Sequence, residues 1–461
     1  MLLAIGRRGC QPGVIDSVAM STPPLNAKQV SRSLAAIWHP CTQMKHHEQF
    51  PLVPIARGEG AWLIDYEGKR YLDAVSSWWV NLFGHANPRI NAALKAQLDT
   101  LEHAMLAGFT HEPAIELSER LAKLTGLGHA FYGSDGASAV EIALKMSFHY
   151  WRNVGKPGKQ KFVSLEGSYH GETLGALAVT DVAIFRDAYG PLLNNNLLVP
   201  FPGPRPAQTA DVCCPECIVA AVSALEAMLA ERHDEIAAFI IEPLVQGAAG
   251  MRLYHPDYLR KARALCSQYG VHLIADEIMT GFGRTGTMFA IEQAGITPDL
   301  ICLSKGLTGG YLPLSCVLSS DDIYAAFYDD DNARGFLHSH SYTGSALACR
   351  AALATLDIFA ADAVIDKNRD KAIRFTALAT SLAQHPRVKN FRHLGMIWAF
   401  EVDNIDKKFA REFFARALKR DVLLRPIGST VYFMPPYIVT DDEFAWLVAQ
   451  TVATIDEMTT A

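Results

Sequence analysis

Five short apolar runs set the strongest limit on what this chain can fold into: KFVSL (161–165), AAFIIEPL (237–244), VHLIADEI (271–278), LICLSK (300–305) and LSCVLSS (314–320). None alternates apolar with polar residues, so each hides both of its faces. Each is followed by an amphipathic stretch. Doubly buried strands alternating with helices form a mostly parallel sheet covered on both sides. The expected fold class is therefore α/β, a large domain with a mostly parallel central sheet plus a smaller α/β domain. In such sheets ligands bind at the carboxyl ends of the strands.

The rest of the chain divides around that block. Residues 1–33 lack useful periodicity, and a second methionine, Met20, is a candidate start. This stretch is expected to be a disordered extension. Residues 34–84 read as a segment that packs with the small domain; AWLIDYEGKRYLDAV within it reads as a hairpin turning at Glu67-Gly68. Residues 85–345 form the large domain and 346–461 the small one, opened by the helix ALACRAALATLDIFA. Six prolines in 191–217 predict an irregular excursion. No fixed-period repeat is visible.

Composition excludes several classes. Lysine and arginine number 42 against 48 acidic residues, a net charge of −6. No basic surplus is available for a phosphate backbone, so no nucleic acid partner is expected. No apolar run reaches the roughly 18 residues of a membrane span, and Met1–Ile5 is too short for a signal-peptide core. Nine cysteines, an odd and scattered count, suggest a cytoplasmic chain with free thiols. Cys214 and Cys217 have C-x-x-C spacing next to Cys213. With no second such pair, no metal is expected; loop thiols are the ordinary reading, and a redox or metal role the other.

Two strand ends carry chemistry. In HLIADEIMTGFGRTG (272–286) an apolar run ends at Asp276; in DLICLSKGLTGGYLPLS (299–315) another ends at Lys305. Alone, Asp276 reads as half of a salt bridge, for instance with Arg284, and Lys305 as a lysine reaching for solvent. Together, 29 residues apart on successive strands, they are what pyridoxal phosphate needs. A desolvated lysine forms the Schiff base, and an acid keeps the ring nitrogen protonated. GSDGASAVEIALKMS (133–147) adds a glycine turn opening a helix, whose free N–H groups favour a phosphate. Its apolar face is Ala139, Ile142, Ala143, Met146 and Tyr150, with Glu141 and Lys145 as an i,i+4 pair opposite. GSYHG (167–171) sets Tyr169 where it can cover a flat ring; a tyrosine at the edge of the core is the plain alternative.

These motifs, in this order, resemble the class III, fold-type I pyridoxal-phosphate aminotransferases over about residues 35–455. The resemblance implies that Lys305 binds the cofactor and moves protons, Asp276 pairs with its ring nitrogen, and Gly136 and Ala137 hold its phosphate. It implies further that Tyr169 and Ile278 sandwich the ring, and that Thr343 and Tyr342 in HSHSYTGSALAC bind the cofactor, Thr343 reaching the neighbouring subunit's phosphate. Active sites then lie at the interface of a homodimer. Within the class, Trp38-His39-Pro40, Ser76-Ser77-Trp78-Trp79, Arg425-Pro426 and YFMPPY (432–437) are similar to the branch that aminates 8-amino-7-oxononanoate with S-adenosylmethionine in biotin synthesis. This implies that Arg425 binds the acceptor's carboxylate and that Trp78, Trp79 and Tyr432 line its chain, with Tyr169, Arg284 and Gly310 also at the substrate. A long aliphatic acid suits apolar walls and one fork-shaped cation.

The sequence departs from that branch at Cys41, where an aromatic residue is usual, and at Glu172 in place of Asp. Glu172 is expected to pair with Arg284. Ala248 stands where glutamate-using relatives have a glutamate. TQMK, GKPGKQKF, GYLPL and FYDDD look more like lysine-using relatives. Lysine as donor, another ω-amino acid aminotransferase, an aminomutase on the same fold, and a binding protein without cofactor are the competing readings.

Overall fold

The computed structural model describes residues 25–50, 52–194, 196–204, 214–403 and 405–458. Strands β1 (Ile55–Glu59), β2 (Trp62–Asp65) and β3 (Arg70–Asp73) form an antiparallel meander. The β2–β3 turn falls where Glu67-Gly68 predicts it, because the Asp65 carboxylate accepts the N–H groups of Glu67 and Lys69.

The large sheet comprises β4 (His129–Gly133), β5 (Lys161–Leu165), β6 (Leu197–Val199), β7 (Ile236–Ile241), β8 (His272–Asp276), β9 (Leu300–Leu303) and β10 (Ser315–Ser319). Their spatial order is β4-β10-β9-β8-β7-β5-β6. All neighbours pair in parallel except β10, which runs antiparallel to both β9 and β4. Every residue of β7, β8 and β9 is buried. The carboxyl ends of β4, β5, β7, β8 and β9 therefore share one edge.

Helix Gly136–Asn153 covers one face of this sheet with Ala139, Ile142, Ala143 and Met146 buried. Glu141 and Lys145 do not pair with each other. Glu141 accepts the amide of Gly175, and Lys145 meets His338, since the folded chain offers each a nearer partner. Helix Ala346–Asp362 packs on helix Pro88–Leu98. Beyond it, β11 (Val388–Leu394), β12 (Ile397–Val402) and β14 (Thr430–Phe433) make an antiparallel sheet, while β13 (Val422–Leu423) returns to pair in parallel with β3.

Three expectations need correction. The disordered extension was placed to residue 33, yet Leu25–Ala36 is a helix. Its start is tied to the β2–β3 turn, where Asn26 donates to Asp65 and its carbonyl oxygen accepts the Tyr66 N–H. Residues 1–24 lie outside the described residues. The excursion 191–217 contains the edge strand β6, whose three residues need only one neighbour, β5. Finally, Cys214 and Cys217 are not free thiols: a disulfide joins them at the start of helix Pro215–Arg232, and Cys213 is outside the described residues. Among the described residues no helix is long and apolar enough to cross a membrane.

Candidate active site

A cavity of about 470 Å³ opens at the shared carboxyl edge. Asp276 ends β8, Glu242 follows β7 by one residue, and Lys305 follows β9 by two. The parallel register sets these strand ends side by side, so residues far apart in sequence meet on one floor. Tyr169 and His170 enter from the turn after β5, and Gly136 and Ala137 from the helix start after β4.

The floor is an electrostatic cluster. The Asp276 carboxylate is 5% exposed; one oxygen lies 2.7 Å from His170 Nδ1 and the other accepts the Ile278 N–H. Glu242 accepts the N–H groups of Tyr169 and Gly247. Burial, reinforced by Asp276, pushes the Glu242 carboxyl up to about 7. The Lys305 amine lies 4.6 Å from the centre of the Trp79 ring. Burial lowers its pKa to about 8 against the opposing pull of Asp276 and Glu242. His170 Nε2 is buried and has no hydrogen-bond partner among the described residues.

At the phosphate end, Asp135 caps the helix: its side chain accepts the Ser138 N–H and its carbonyl the Ala139 N–H. The N–H groups of Gly136 and Ala137 head the helix with no intrahelical partner. A Cβ on Gly136 would stand 3.0 Å from Ile278 Cγ2, so the bare backbone keeps that end of the cavity open. A buried carboxylate with no lysine or arginine paired to it among the described residues, an amine of lowered pKa, two N–H groups at a helix start, the Tyr169 ring and the apolar Ile278 side chain fit a planar, N-protonated ring bearing a phosphate. That is the shape and charge of pyridoxal phosphate.

The mouth is built from loops. Trp78 is 43% exposed and Trp79 6%. The Arg425 guanidinium lies 4.9 Å from the Trp78 ring centre and donates to the Cys41 carbonyl. The Tyr169 hydroxyl donates to Glu172. Burial, then Glu172, raises the Cys41 thiol, so it stands protonated at neutral pH.

Of the residues singled out in the sequence, Trp78, Trp79, Gly136, Ala137, Tyr169, Asp276, Ile278 and Lys305 line this cavity. Gly310 lines an adjoining one that shares Lys305 and Gly136. Arg425 and Tyr432 are not among the residues lining the first cavity: Arg425 stands over the Trp78 ring, and Tyr432, buried, sits behind Trp79, its hydroxyl accepting the Trp79 indole N–H. Arg284 is not at the cavity. It is 1% exposed, bonds the carbonyls of Pro435 and Asn81, and stacks on Tyr437. Its expected partner Glu172 is taken by Tyr169. Thr343 bonds within its own turn to His340, and Tyr342, 68% exposed, lies against His103; neither lines this chain's own cavity. Sequence reasoning missed Glu242 and His170. Glu242 carries the same signal as Asp276, an acid closing a fully apolar run. His170 gave none, because its role depends on which strand end it faces.

Comparison with known proteins agrees with this geometry. The family model of aminotransferase class-III matches residues 43–455. The adenosylmethionine-8-amino-7-oxononanoate aminotransferase of Helicobacter pylori is 47% identical over 433 residues, covering 92% of this chain and 97% of its own. The crystal structure of the enzyme of that name from Methanocaldococcus jannaschii superposes with a TM-score of 0.87 at 34% identity, covering 94% of this chain and 99% of that one. The omega transaminase of Pseudomonas jessenii, solved in complex with PMP, superposes with a TM-score of 0.87 at 28% identity over 94% of this chain and 98% of that one. A lysine and an acid on neighbouring strand ends, beneath a helix start that can hold phosphate, are thus set in a fold and a sequence frame shared along nearly the whole chain, and the chain belongs to the class-III aminotransferases, a family that works with pyridoxal phosphate.

Proposed function

We propose that this chain moves an amino group from S-adenosylmethionine to 8-amino-7-oxononanoate, giving 7,8-diaminononanoate for biotin synthesis. It does so as a cytoplasmic homodimer with pyridoxal 5'-phosphate bound in the cavity at the sheet edge. The observation that carries the reading is one cavity with Lys305 and Asp276 on its floor and the Trp78–Trp79 pair beneath Arg425 at its mouth. The names and the identity of the relatives point the same way.

When bound, the cofactor supplies an electrophilic carbon and an electron sink. The chain does the rest. The N–H groups of Gly136 and Ala137 hold the phosphate, and Tyr169 and Ile278 hold the ring between them. Asp276, itself oriented by His170 and the Ile278 N–H, keeps a proton on the ring nitrogen. The Lys305 amine, whose basicity burial lowers, would move a proton from the donor's α-carbon and return one to the acceptor. Trp78 and Trp79 exclude water along the acceptor's aliphatic chain, and Arg425 meets its carboxylate. Donor and acceptor use the cavity in turn.

Two features support the dimer. Tyr342 and Thr343 stand outside their own chain's cavity, and Leu337 near them is 84% exposed.

The test is a half-reaction followed by the visible spectrum of the purified holoenzyme. S-adenosylmethionine, lysine, alanine and 4-aminobutyrate are added separately, and 8-amino-7-oxononanoate is then added with product measured. A spectral change with S-adenosylmethionine alone, followed by diamine formation, is the expected result. A response to lysine alone changes the donor; a response to alanine or 4-aminobutyrate makes the protein a general ω-aminotransferase. Product formation from a single substrate marks an aminomutase.

A further inference from the structure

The tryptophan pair stands on an unusual backbone. Residues Ser76, Ser77, Trp78 and Trp79 have φ of 52°, 46°, 73° and 75°. Four successive left-handed residues, none of them glycine, persist only where the surroundings hold them. The turn closes through Trp79 N–H to Val75 O (2.9 Å) and Val80 N–H to Ser76 O (3.0 Å). Its outcome is that Trp79 lies over the Lys305 amine and Trp78 lies under Arg425.

The holding group is Asp73, whose side chain is fully buried. One carboxylate oxygen accepts the Ser77 N–H (2.8 Å) and the other the Ser77 hydroxyl (2.7 Å). The second oxygen also lies 3.1 Å from His85 Nε2. Asn81 accepts the Gly84 N–H on its oxygen, so its NH₂ group faces His85 Nδ1. That fixes Nδ1 as acceptor and Nε2 as the donor to Asp73. The Asn81 backbone donates to Ser76 O and accepts from Arg284. A Cβ on Gly310 would sit 3.0 Å from the Asn81 N and Cα, so only bare backbone fits there. Arg284, read from the sequence as a substrate residue, braces this turn from behind, while Gly310 touches it and also lines the adjoining cavity.

We propose that Asp73 is the positioning residue of the substrate pocket: its carboxylate, oriented by His85 and Asn81, locks the left-handed turn that sets Trp78 and Trp79 against the substrate. It is not among the residues lining the cavity and acts only through Ser77. This rests on the assignment of the tryptophan pair to the acceptor's chain.

The experiment compares wild type, D73A, D73N and the double variant D73A/S77G as holoenzymes. A glycine at 77 takes φ of 46° without strain and so weakens the need for the anchor. Expected is a rise in KM for the oxo acid of about tenfold in D73A, with kcat changed by less than about threefold. D73N, which keeps one acceptor for the Ser77 N–H, rises less. D73A/S77G recovers most of the D73A loss. A crystal structure of D73A should show residues 76–79 out of the left-handed region. A KM unchanged in both single variants, or a D73A structure with the turn intact, overturns the proposal. A KM defect that S77G does not relieve does so as well, since loss of stability alone would behave in that way. If D73A does not fold, the KM of D73N decides. If wild type refuses 8-amino-7-oxononanoate, the assigned function fails, and the conformation of residues 76–79 in the variants still decides the role of Asp73.

Discussion

At the floor of the cavity Asp276, Glu242 and Lys305 stand at the ends of strands whose every residue is buried, while at the mouth Cys41, Trp78 and Arg425 are carried on loops. The floor groups are fixed by sheet register, and low polarity there moves Glu242 up and Lys305 down. The mouth groups are held by a few local bonds, the Arg425–Cys41 contact among them, and by a strained turn. Groups that carry the reaction itself belong on rigid strand ends. Groups that select a substrate belong where single residues can change without moving the sheet.

That contrast can be broken from either side. The largest effect is expected at the floor. Lys305→Ala should lower turnover by at least about 10³-fold and abolish the lysine-dependent visible band, while leaving folding intact by circular dichroism. Substantial turnover in that variant would remove the amine from the mechanism. At the mouth, Arg425→Leu should raise KM for the oxo acid by about ten- to a hundredfold with little change in the donor half-reaction. An equal loss in both half-reactions would mean that Arg425 belongs with the floor.

The smallest effect is one of pH. The Glu242 carboxyl, raised to about 7, binds a proton in the folded state that the unfolded chain has already lost between about pH 4.5 and 7. Its contribution is therefore most favourable below that window and declines as pH rises through it. In cofactor-free protein, Glu242→Gln should flatten the fall of the thermal midpoint between pH 5 and 7. A slope equal to the wild type's would show that Glu242 is ionised in both states.

Much of this was legible in advance. Lys305, Asp276 and the helix start at Gly136 each interrupt an apolar pattern, and a polar residue at the end of a buried run marks the edge where ligands bind. Glu242 carries that mark too, closing the run AAFII. The misreadings were of another kind. Glu141 and Lys145 have the spacing of an ion pair yet find other partners. Arg284 has the composition of an anion-binding residue, yet its donors go to the carbonyls of Pro435 and Asn81.

The sequence by itself determined the α/β class, the positions of the buried strands and the residue types able to hold a phosphorylated, protonated ring, because these follow from burial and periodicity along the chain. Only the tertiary structure decided that His170 orients Asp276, that Arg284 faces the back of a turn, and that Trp78 and Trp79 sit in left-handed backbone. The first two depend on which distant groups come within hydrogen-bonding reach, His170 and Asp276 lying 106 positions apart and Arg284 and Asn81 203; the third depends on the burial of Asp73 four residues before Ser77, which no local pattern encodes.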